Sequence, residues 1–380
     1  MRAAKSDLKS IGRLQEWKDE MKQAKWKLAP RREQNSVDIE WCNGESRGNE
    51  IIGSEIFDTP IVGESRGLGA IKTGLAVAGA LLGATAMLNA LVASKTPGGR
   101  LALGGDFNRF PVRGGDVAYV VAGSGTLVLL LHGLGAGNSM AEWNANFAAL
   151  TGRHTVYALD FLGWGLSDRP AQDYGATDAV EQIISFAQNV IGESCALVAS
   201  GDSCANAVEA AARQPELFSR LVLVCPPTVT KNLDLPLHGA SVKRLLGLPV
   251  VGQSVYNVLT SRRAIRSFAG RHLYFDKERV DEALVTMYHR GAHQPGARHA
   301  LASWLSGQSR HDARDAWSRL KQPALLIWGR NALIDGLDTA PEWLALKPDA
   351  RLEVVENAML LPHAEHARQW NELVLGWLAA

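Results

Sequence analysis

Apolar side chains follow a different pattern in each of three stretches of the chain. In residues 1–70 they recur at intervals of three and four only near the start, at Ile11, Leu14, Trp17, Met21, Ala24 and Leu28. This spacing predicts an amphipathic helix, which would pack on its own domain, on a partner protein or on a membrane face. After Pro30 the composition is polar and rich in glycine, and it predicts an extended tail that needs a partner for order.

The second stretch, residues 73–94, contains no charged side chain along 22 residues. A helix rises about 1.5 Å per residue, so this stretch would span roughly 33 Å, enough for a hydrocarbon core of about 30 Å. We therefore predict a single transmembrane helix, with a buried soluble helix or a signal-like segment as alternatives. Gly79 and Gly83, four positions apart, predict a face for close packing against a neighbouring helix.

From about Phe107 onward, short apolar runs alternate with helical patterns. The predicted strands are Val117–Val121, Leu127–Leu131, Thr155–Leu159, Cys195–Ser200, Leu221–Val224, Pro323–Gly329 and Leu352–Val355. The predicted helices are Ala179–Ile191, Ala205–Arg213 and Gln369–Leu378, with a largely helical lid over about 228–316. Apolar strands that alternate with helices predict an α/β domain over 107–380, in which a mostly parallel sheet is covered by helices on both faces.

Composition excludes several classes of function. The net charge is +1, so the chain has no overall basic field of the kind that nucleic-acid binding requires. The four cysteines are far apart and form no CxxC pair, and no Cys/His spacing is typical of metal ligands. We therefore predict neither nucleic-acid binding nor a metal site, and we expect no cofactor.

The motifs after residue 107 resemble, as an ordered set, the α/β-hydrolase superfamily, in particular its plastid and cyanobacterial members. The similar segments are VLLLHGLGAG at 128–137, VYALDFLGWGLSDRP at 156–170, the 196–224 strand–turn–helix–strand, PALLIWGRNALID at 323–335 and the 354–378 segment. The resemblance implies an α/β-hydrolase fold with a helical lid. It also makes four residues the remnant of the oxyanion loop, where the histidine supports the loop structurally: His132, Gly133, Leu134 and Gly135.

The same resemblance locates three catalytic positions, and none of them holds the family's residue. An ungapped count back from Pro215 places Gly201 where the family carries its nucleophilic serine. The acid position holds Ala332 and the histidine position holds Leu360. Glycine adopts the strained turn easily, but without a hydroxyl no acyl-enzyme forms and without an imidazole the general base is missing. The chain is therefore predicted to be a pseudoenzyme with no catalytic residues.

A shifted set of residues is the alternative. Residues 201–205 match Gly-x-Ser-x-Ala, and Asp335 and His363 each lie three residues past the expected acid and base. Ser203, His363 and Asp335 would then form the triad. Against this, Ser203 would lie in the first helical turn, where its side chain is rotated by roughly 200° from the direction of the turn. Cys204, at the start of the same helix, is a weaker candidate nucleophile.

These observations favour a structural role. The chain is predicted to be a membrane-anchored subunit or assembly scaffold that contacts other protein subunits through its transmembrane helix and its N-terminal tail. The resemblance suggests a chloroplast membrane, with the thylakoid favoured and the mitochondrial inner membrane as the alternative. Two other functions stay open: a membrane-bound serine esterase or lipase that uses the shifted triad, and a protein that binds a lipid or pigment in the retained pocket.

Overall fold

The computed structural model describes residues 83–90, 103–230 and 239–380. The predictions for residues 1–70 and for most of 73–94, including Gly79, lie outside the described residues. Residues 83–90 are helical and are called α1. Within the described ranges no helix is long and apolar enough to cross a membrane, so the predicted transmembrane helix is not found there.

One eight-stranded sheet organises residues 103–380. Its strands are β1 (Asp106–Val112), β2 (Gly115–Ala122), β3 (Thr126–Leu131), β4 (His154–Leu159), β5 (Cys195–Ser200), β6 (Phe218–Val224), β7 (Ala324–Gly329) and β8 (Arg351–Val355). The strand order is β1-β2-β4-β3-β5-β6-β7-β8. Only β1 with β2 and β2 with β4 pair antiparallel, and the remaining pairs are parallel. The predicted mostly parallel sheet is confirmed.

Helices connect the strands and cover the sheet. Those outside the β6–β7 connection are α2 (Phe147–Thr151), α3 (Ala176–Phe186), α4 (Ser203–Arg213), α11 (Ala340–Leu346), α12 (Pro362–Glu365) and α13 (Ala367–Ala379). Helix α3 packs on α4, and α13 packs on α2. Every residue of β5 and β7 is buried, which explains why these strands are apolar at consecutive rather than alternate positions.

The connection between β6 and β7 is helical. It contains α5 (Gly239–Gly247), α6 (Pro249–Leu259), α7 (Arg262–Phe268), α8 (Glu282–Ala292), α9 (Ala297–Leu305) and α10 (Arg314–Arg319). We call residues 239–305 the cap; they lie within the predicted lid. One apolar cluster of the cap contains Tyr274 and Tyr288 together with Leu361, which precedes α12. The cap is therefore anchored on the turn that leads into α12.

Candidate active site

The turn between β5 and α4 is built around Gly201. Its φ is +54°, in the left-handed region where a side chain is strained. Its amide donates a hydrogen bond to the carbonyl of Val224 on β6, at 2.9 Å. A Cβ placed on Gly201 would meet only the Cα of Gly133, 4.0 Å away. The turn therefore has a sharp, fixed backbone and open space where a side chain would project.

The loop after β3 lies beside this turn and is held by His132. The imidazole is fully buried, and its Nε2 accepts a hydrogen bond from the amide of Phe161 at 3.2 Å. Its Nδ1 therefore carries the proton and donates to the carbonyl of Gly133, at 2.6 Å. His132 ties the end of β4 to the loop, and both of its ring nitrogens are engaged with backbone groups.

Glu142 brings a buried carboxylate to the same loop. It lies in a short 3₁₀ helix, Met140–Trp143. Its Oε2 accepts hydrogen bonds from the amide of Gly133 at 3.0 Å and from the Asn138 side chain at 2.9 Å. Burial by itself raises the pKa of Glu142, but its interactions with His363 and Ser200 lower it, and the net pKa is below the ordinary glutamate value. Glu142 is consequently ionised at neutral pH.

His363, on α12, is the partner of Glu142. Its Nε2 lies 3.3 Å from Glu142 Oε1, and both side chains are buried. The imidazole lies close to Trp143 and Trp370, with ring centroids 4.6 and 6.0 Å away. Among the described residues neither ring nitrogen makes a well-aligned hydrogen bond, so the close approach of Nε2 to Oε1 is an electrostatic contact. Glu142 is thus the polar side chain that the buried imidazole faces.

A cavity of about 500 Å³ opens beside Glu142, between the loop after β3 and the cap. The residues that line it are Ala141, Glu142, Asn144, Ala145, Tyr274, Arg279, Asp281, Ala283, Leu284, Met287, Tyr288, Leu361 and Ala364. Burial raises the pKa of both tyrosines above the ordinary value, so both phenols keep their protons at neutral pH. The cavity therefore combines apolar walls, an ionised carboxylate and neutral hydrogen-bond donors.

Glu365 links this site to the cap. Its Oε1 accepts hydrogen bonds from the amides of Phe275 at 2.6 Å and Asp276 at 3.3 Å, and both of these residues belong to the cap. Its Oε2 accepts from the amide of Met359, at 2.6 Å. One buried carboxyl group on α12 thus holds the cap backbone and the turn that precedes His363.

The structure places Ser203, Asp335 and His363 in contact with different groups. Ser203 is buried in the first turn of α4, where its hydroxyl donates to the carbonyl of His132. His363 faces Glu142. Among the contacts of the described residues, none joins Ser203, Asp335 and His363 to one another.

Asp335 follows β7 and faces Asp202. Its φ of +48° is in the left-handed region. Burial first, and then the charge of Asp202, raise the pKa of Asp335 to about 7, although Arg310 opposes the shift. Asp202 in turn accepts a hydrogen bond from the Trp304 indole and lies 3.2 Å from Arg310. This carboxyl pair is separate from the Glu142–His363 pair in all the contacts described.

The positions where the family carries its catalytic acid and histidine hold apolar side chains in this chain. Ala332 lies in the loop after β7, where its amide donates to the carbonyl of Gly329 at 3.2 Å. Leu360 is partly buried and packs against the core and the cap cluster. In the described part of the chain no group of three or more His, Cys, Asp or Glu residues could hold a metal ion.

The cysteine considered as a nucleophile is buried. Cys204 lies in α4, and burial raises the pKa of its thiol well above the ordinary value. A thiol that keeps its proton at neutral pH is a poor nucleophile. The geometry therefore gives Cys204 a packing role.

Glu142 is the site residue that the sequence analysis did not identify. The signal for it is a lone acidic residue between Met140, Ala141 and Trp143, directly after the glycine-rich loop. All three neighbours are buried, so an unpaired charge among them would be strongly unfavourable. A charged residue within a run of buried apolar residues implies a buried polar partner. That partner is His363, which is distant in sequence.

Comparison with known proteins identifies a family and relatives of this chain. The model of the family described as "Alpha/beta hydrolase family" matches residues 128–373. A 2-hydroxymuconate semialdehyde hydrolase of Pseudomonas sp. (strain CF600) is 27% identical over 271 residues, which cover 68% of this chain and 88% of that protein. An uncharacterized protein of Mycobacterium tuberculosis (strain ATCC 25618 / H37Rv) is 28% identical over 266 residues, which cover 68% of this chain and 76% of that protein.

Solved structures of similar fold are also hydrolases by name. The meta-cleavage product hydrolase CumD has a TM-score of 0.60 at 22% identity, and the match covers 72% of this chain and 97% of CumD. The 2-hydroxy-6-oxo-6-phenylhexa-2,4-dienoate hydrolase of Rhodococcus sp. strain RHA1 has the same TM-score at 22% identity, over 72% of this chain and 99% of its own. At this identity the likeness shows the fold, and the predicted α/β-hydrolase fold is confirmed.

The comparisons contradict the prediction that the chain is not an enzyme. That prediction rested on the replacements at Gly201, Ala332 and Leu360. Curated relatives of this chain, however, are named as hydrolases, among them 2-hydroxymuconate semialdehyde hydrolase. The replacements concern three positions only, and the prediction did not consider the buried Glu142–His363 pair. The expectation of a pseudoenzyme is therefore wrong.

Proposed function

We propose, since the chain belongs to the alpha/beta hydrolase family, that it is a hydrolase whose reacting carboxylate is Glu142. The observation that carries this proposal is that Glu142, whose lowered pKa keeps it ionised, is one of the residues that line the 500 Å³ cavity. Gly201 leaves the space beside the loop free of a side chain, so a water molecule rather than a serine would supply the nucleophilic oxygen.

In the proposed reaction, Glu142 accepts a proton from a water molecule in the cavity. The water oxygen forms a bond to the carbonyl carbon of the substrate, and the bond to the leaving group breaks. Glu142 then returns the proton to the leaving group, so that the net change is the addition of water across the broken bond. General-base assistance of this kind contributes about 10²–10⁴-fold to a rate.

His363 acts as a positioning residue. Its Nε2, 3.3 Å from Oε1, fixes one carboxylate oxygen, while the amide of Gly133 fixes the other at 3.0 Å. These two contacts restrict rotation of the carboxylate. The interaction with His363 is also one cause of the lowered pKa of Glu142.

The cavity favours a small, largely apolar substrate that contains a carbonyl group. Leu284, Met287 and Leu361 supply apolar walls, and Tyr274 and Tyr288 supply hydroxyl groups that can donate to a carbonyl oxygen. The named relatives act on 2-hydroxymuconate semialdehyde and related compounds, which makes these compounds and activated aryl esters a suitable first panel.

The test compares three variants on that panel. Glu142→Gln keeps the shape of the side chain and should lower kcat by about 10²–10⁴-fold. Ser203→Ala should retain activity, and the wild type should not react with a fluorophosphonate. Labelling that is lost in Ser203→Ala would instead support the shifted serine triad. Activity that is unchanged in Glu142→Gln would overturn the proposal.

The pH profile separates positioning from mere packing. Because the pKa of Glu142 is lowered, activity should persist to mildly acidic pH and fall only as pH drops through that pKa. Since the interaction with His363 lowers this pKa, His363→Gln should move the acidic limb of kcat/KM to higher pH. If His363→Gln loses activity but the acidic limb of its pH profile does not move, His363 only supports the fold.

Binding of a lipid or pigment is a second candidate, which the apolar part of the cavity lining favours. Native mass spectrometry of the gently purified chain would test it, because a stoichiometric apolar ligand should survive in the spectrum. The predicted scaffold role rested on the lost catalytic positions, the predicted membrane span and the N-terminal tail, and the contacts with other protein subunits stay a prediction. The chloroplast or mitochondrial address stays a prediction.

A further inference from the structure

The outer surface of the cap carries an unusual number of exposed apolar side chains. On α6, Val251, Val258 and Leu259 are all exposed and follow a spacing of seven and eight, so they share one face of the helix. Val258 is 70% exposed. Helices α5 and α7 pack on α6 and add Leu245 and Phe268 to the exposed apolar set. Contiguous apolar surface of this kind marks an interaction site.

Helix α1 docks beside this face through Asn89. The Asn89 side chain donates to the Val250 carbonyl at 3.2 Å and to the Ser254 hydroxyl at 3.1 Å. It accepts a hydrogen bond from Asn257, at 2.9 Å. Positions 250, 254 and 257 form a stripe on α6 that runs next to the exposed face. Asn89, the single amide side chain of α1, thus fixes that helix to the cap.

While Asn89 contacts the cap, the large apolar side chains of α1 stay exposed to solvent. Met87 and Leu88 are 67% and 62% exposed, although they lie in an uncharged sequence. An apolar helix that is held by its polar residue and exposes its apolar ones needs an apolar environment on the outer side. The exposed apolar side chains of α1 therefore lie on a helix that is bonded to α6, which carries exposed apolar side chains of its own.

The charge of the surrounding segment identifies the environment. Residues 239–275 contain no acidic residue and six basic ones: Lys243, Arg244, Arg262, Arg263, Arg266 and Arg271. Arg262 and Arg266 share the carboxylate of Glu282, and Lys243 pairs with Asp173. Arg244 and Arg263 are exposed, and among the described residues neither has an ion-pair partner. Apolar side chains surrounded by unpaired arginines match an interface with anionic lipid.

We propose that the outer face of the cap, formed by α1, α6 and their neighbours, docks on the surface of an anionic lipid bilayer. The apolar side chains of α6 and α1 enter the boundary between headgroups and acyl chains, and Arg244 and Arg263 contact the negative headgroups. This orientation directs the cap, and with it the roof of the cavity, toward the membrane. The proposal is independent of whether Glu142 is the reacting group.

The experiment reports on the cap itself, whatever else in the full chain binds lipid. In the full-length chain with Cys42→Ser, Val258→Cys and Leu333→Cys are labelled separately with a polarity-sensitive fluorophore. Both parent side chains are 70% exposed, and Cys195, Cys204 and Cys225 are buried, so the comparison is matched and the label is specific. Vesicles of phosphatidylcholine, with or without phosphatidylglycerol, are then added.

The expected result is a shift of the emission to shorter wavelength for the label at position 258 and not for the label at position 333. The shift should occur only with the anionic vesicles, and added salt should weaken it. Arg244→Gln with Arg263→Gln should weaken vesicle binding by roughly 30-fold, whereas Arg113→Gln with Arg153→Gln, outside the cap, should not. No shift at 258, an equal shift at 258 and 333, or an equal shift with neutral vesicles would overturn the proposal. A shift that grows with protein concentration without vesicles would assign the face to a second copy of the chain.

Discussion

Glu142 and Asp335 are two carboxyl groups largely withdrawn from water, yet their pKa values move in opposite directions. The pKa of Glu142 is lowered, while that of Asp335 is raised to about 7. Burial penalises the charge of both. The difference comes from their neighbours: Glu142 faces N–H groups and His363, whereas Asp335 faces the carboxylate of Asp202. Burial raises the pKa of both carboxyl groups, and at Glu142 the neighbouring groups reverse that effect, whereas at Asp335 the charge of Asp202 adds to it.

The largest effect should follow from breaking the Glu142–His363 pair. Glu142→Leu leaves the buried imidazole without its partner, and removal of one member of a buried pair costs about 3–5 kcal/mol. Chemical denaturation should therefore show a free energy of unfolding lower by this amount. The double variant Glu142→Leu with His363→Leu should recover part of the loss. Equal stabilities of the wild type and Glu142→Leu would contradict the assigned pairing.

A smaller effect, of opposite sign, is expected at Asp335. The folded state keeps this proton up to about pH 7, but the unfolded chain loses it near pH 4, so wild-type stability falls as pH rises through this window. Asp335→Asn removes the penalty and should be more stable by roughly 2–4 kcal/mol above pH 7, with little gain near pH 4. Denaturation midpoints measured across this range provide the check. A gain that is constant with pH would show that the carboxyl group does not titrate as stated.

The smallest effect concerns the turn beside Glu142. Gly201→Ala forces a side chain into the left-handed region and should cost about 1–2 kcal/mol, because no neighbouring atom blocks the new Cβ. Gly270→Ala is the matched control, since its Cβ also meets no atom but its φ is not positive. Thermal unfolding of the two variants would measure the difference. If both cost the same, strain is not the reason for glycine at position 201.

Sequence patterns predicted most of the sheet because its strands are buried on both faces. Cys195–Ser200 was predicted with the bounds of β5, and its six residues are all buried. β1 (Asp106–Val112) was not predicted as a strand. It contains a proline and two charged residues and lies at the exposed edge of the sheet, where no apolar pattern is required. Pattern recognition thus succeeded where packing constrains the side chains.

The site was harder to predict than the fold for a physical reason. A family resemblance locates the positions where relatives carry reactive groups, and Gly201 does form the expected sharp turn. The resemblance gives no information about a carboxylate on another element. Glu142 and His363 are far apart in sequence, so their contact is visible only in the structure. Absence of the usual side chains was therefore mistaken for absence of chemistry. The membrane prediction for residues 73–94 stays a prediction.

The carboxyl group of Glu365 connects the cap to α12. It binds backbone amides of the cap at Phe275 and Asp276, and also the amide of Met359 just before α12. The cap cannot swing outward unless these bonds break or α12 moves with it, and α12 carries His363. Displacement of the cap and displacement of His363 are therefore coupled through one side chain.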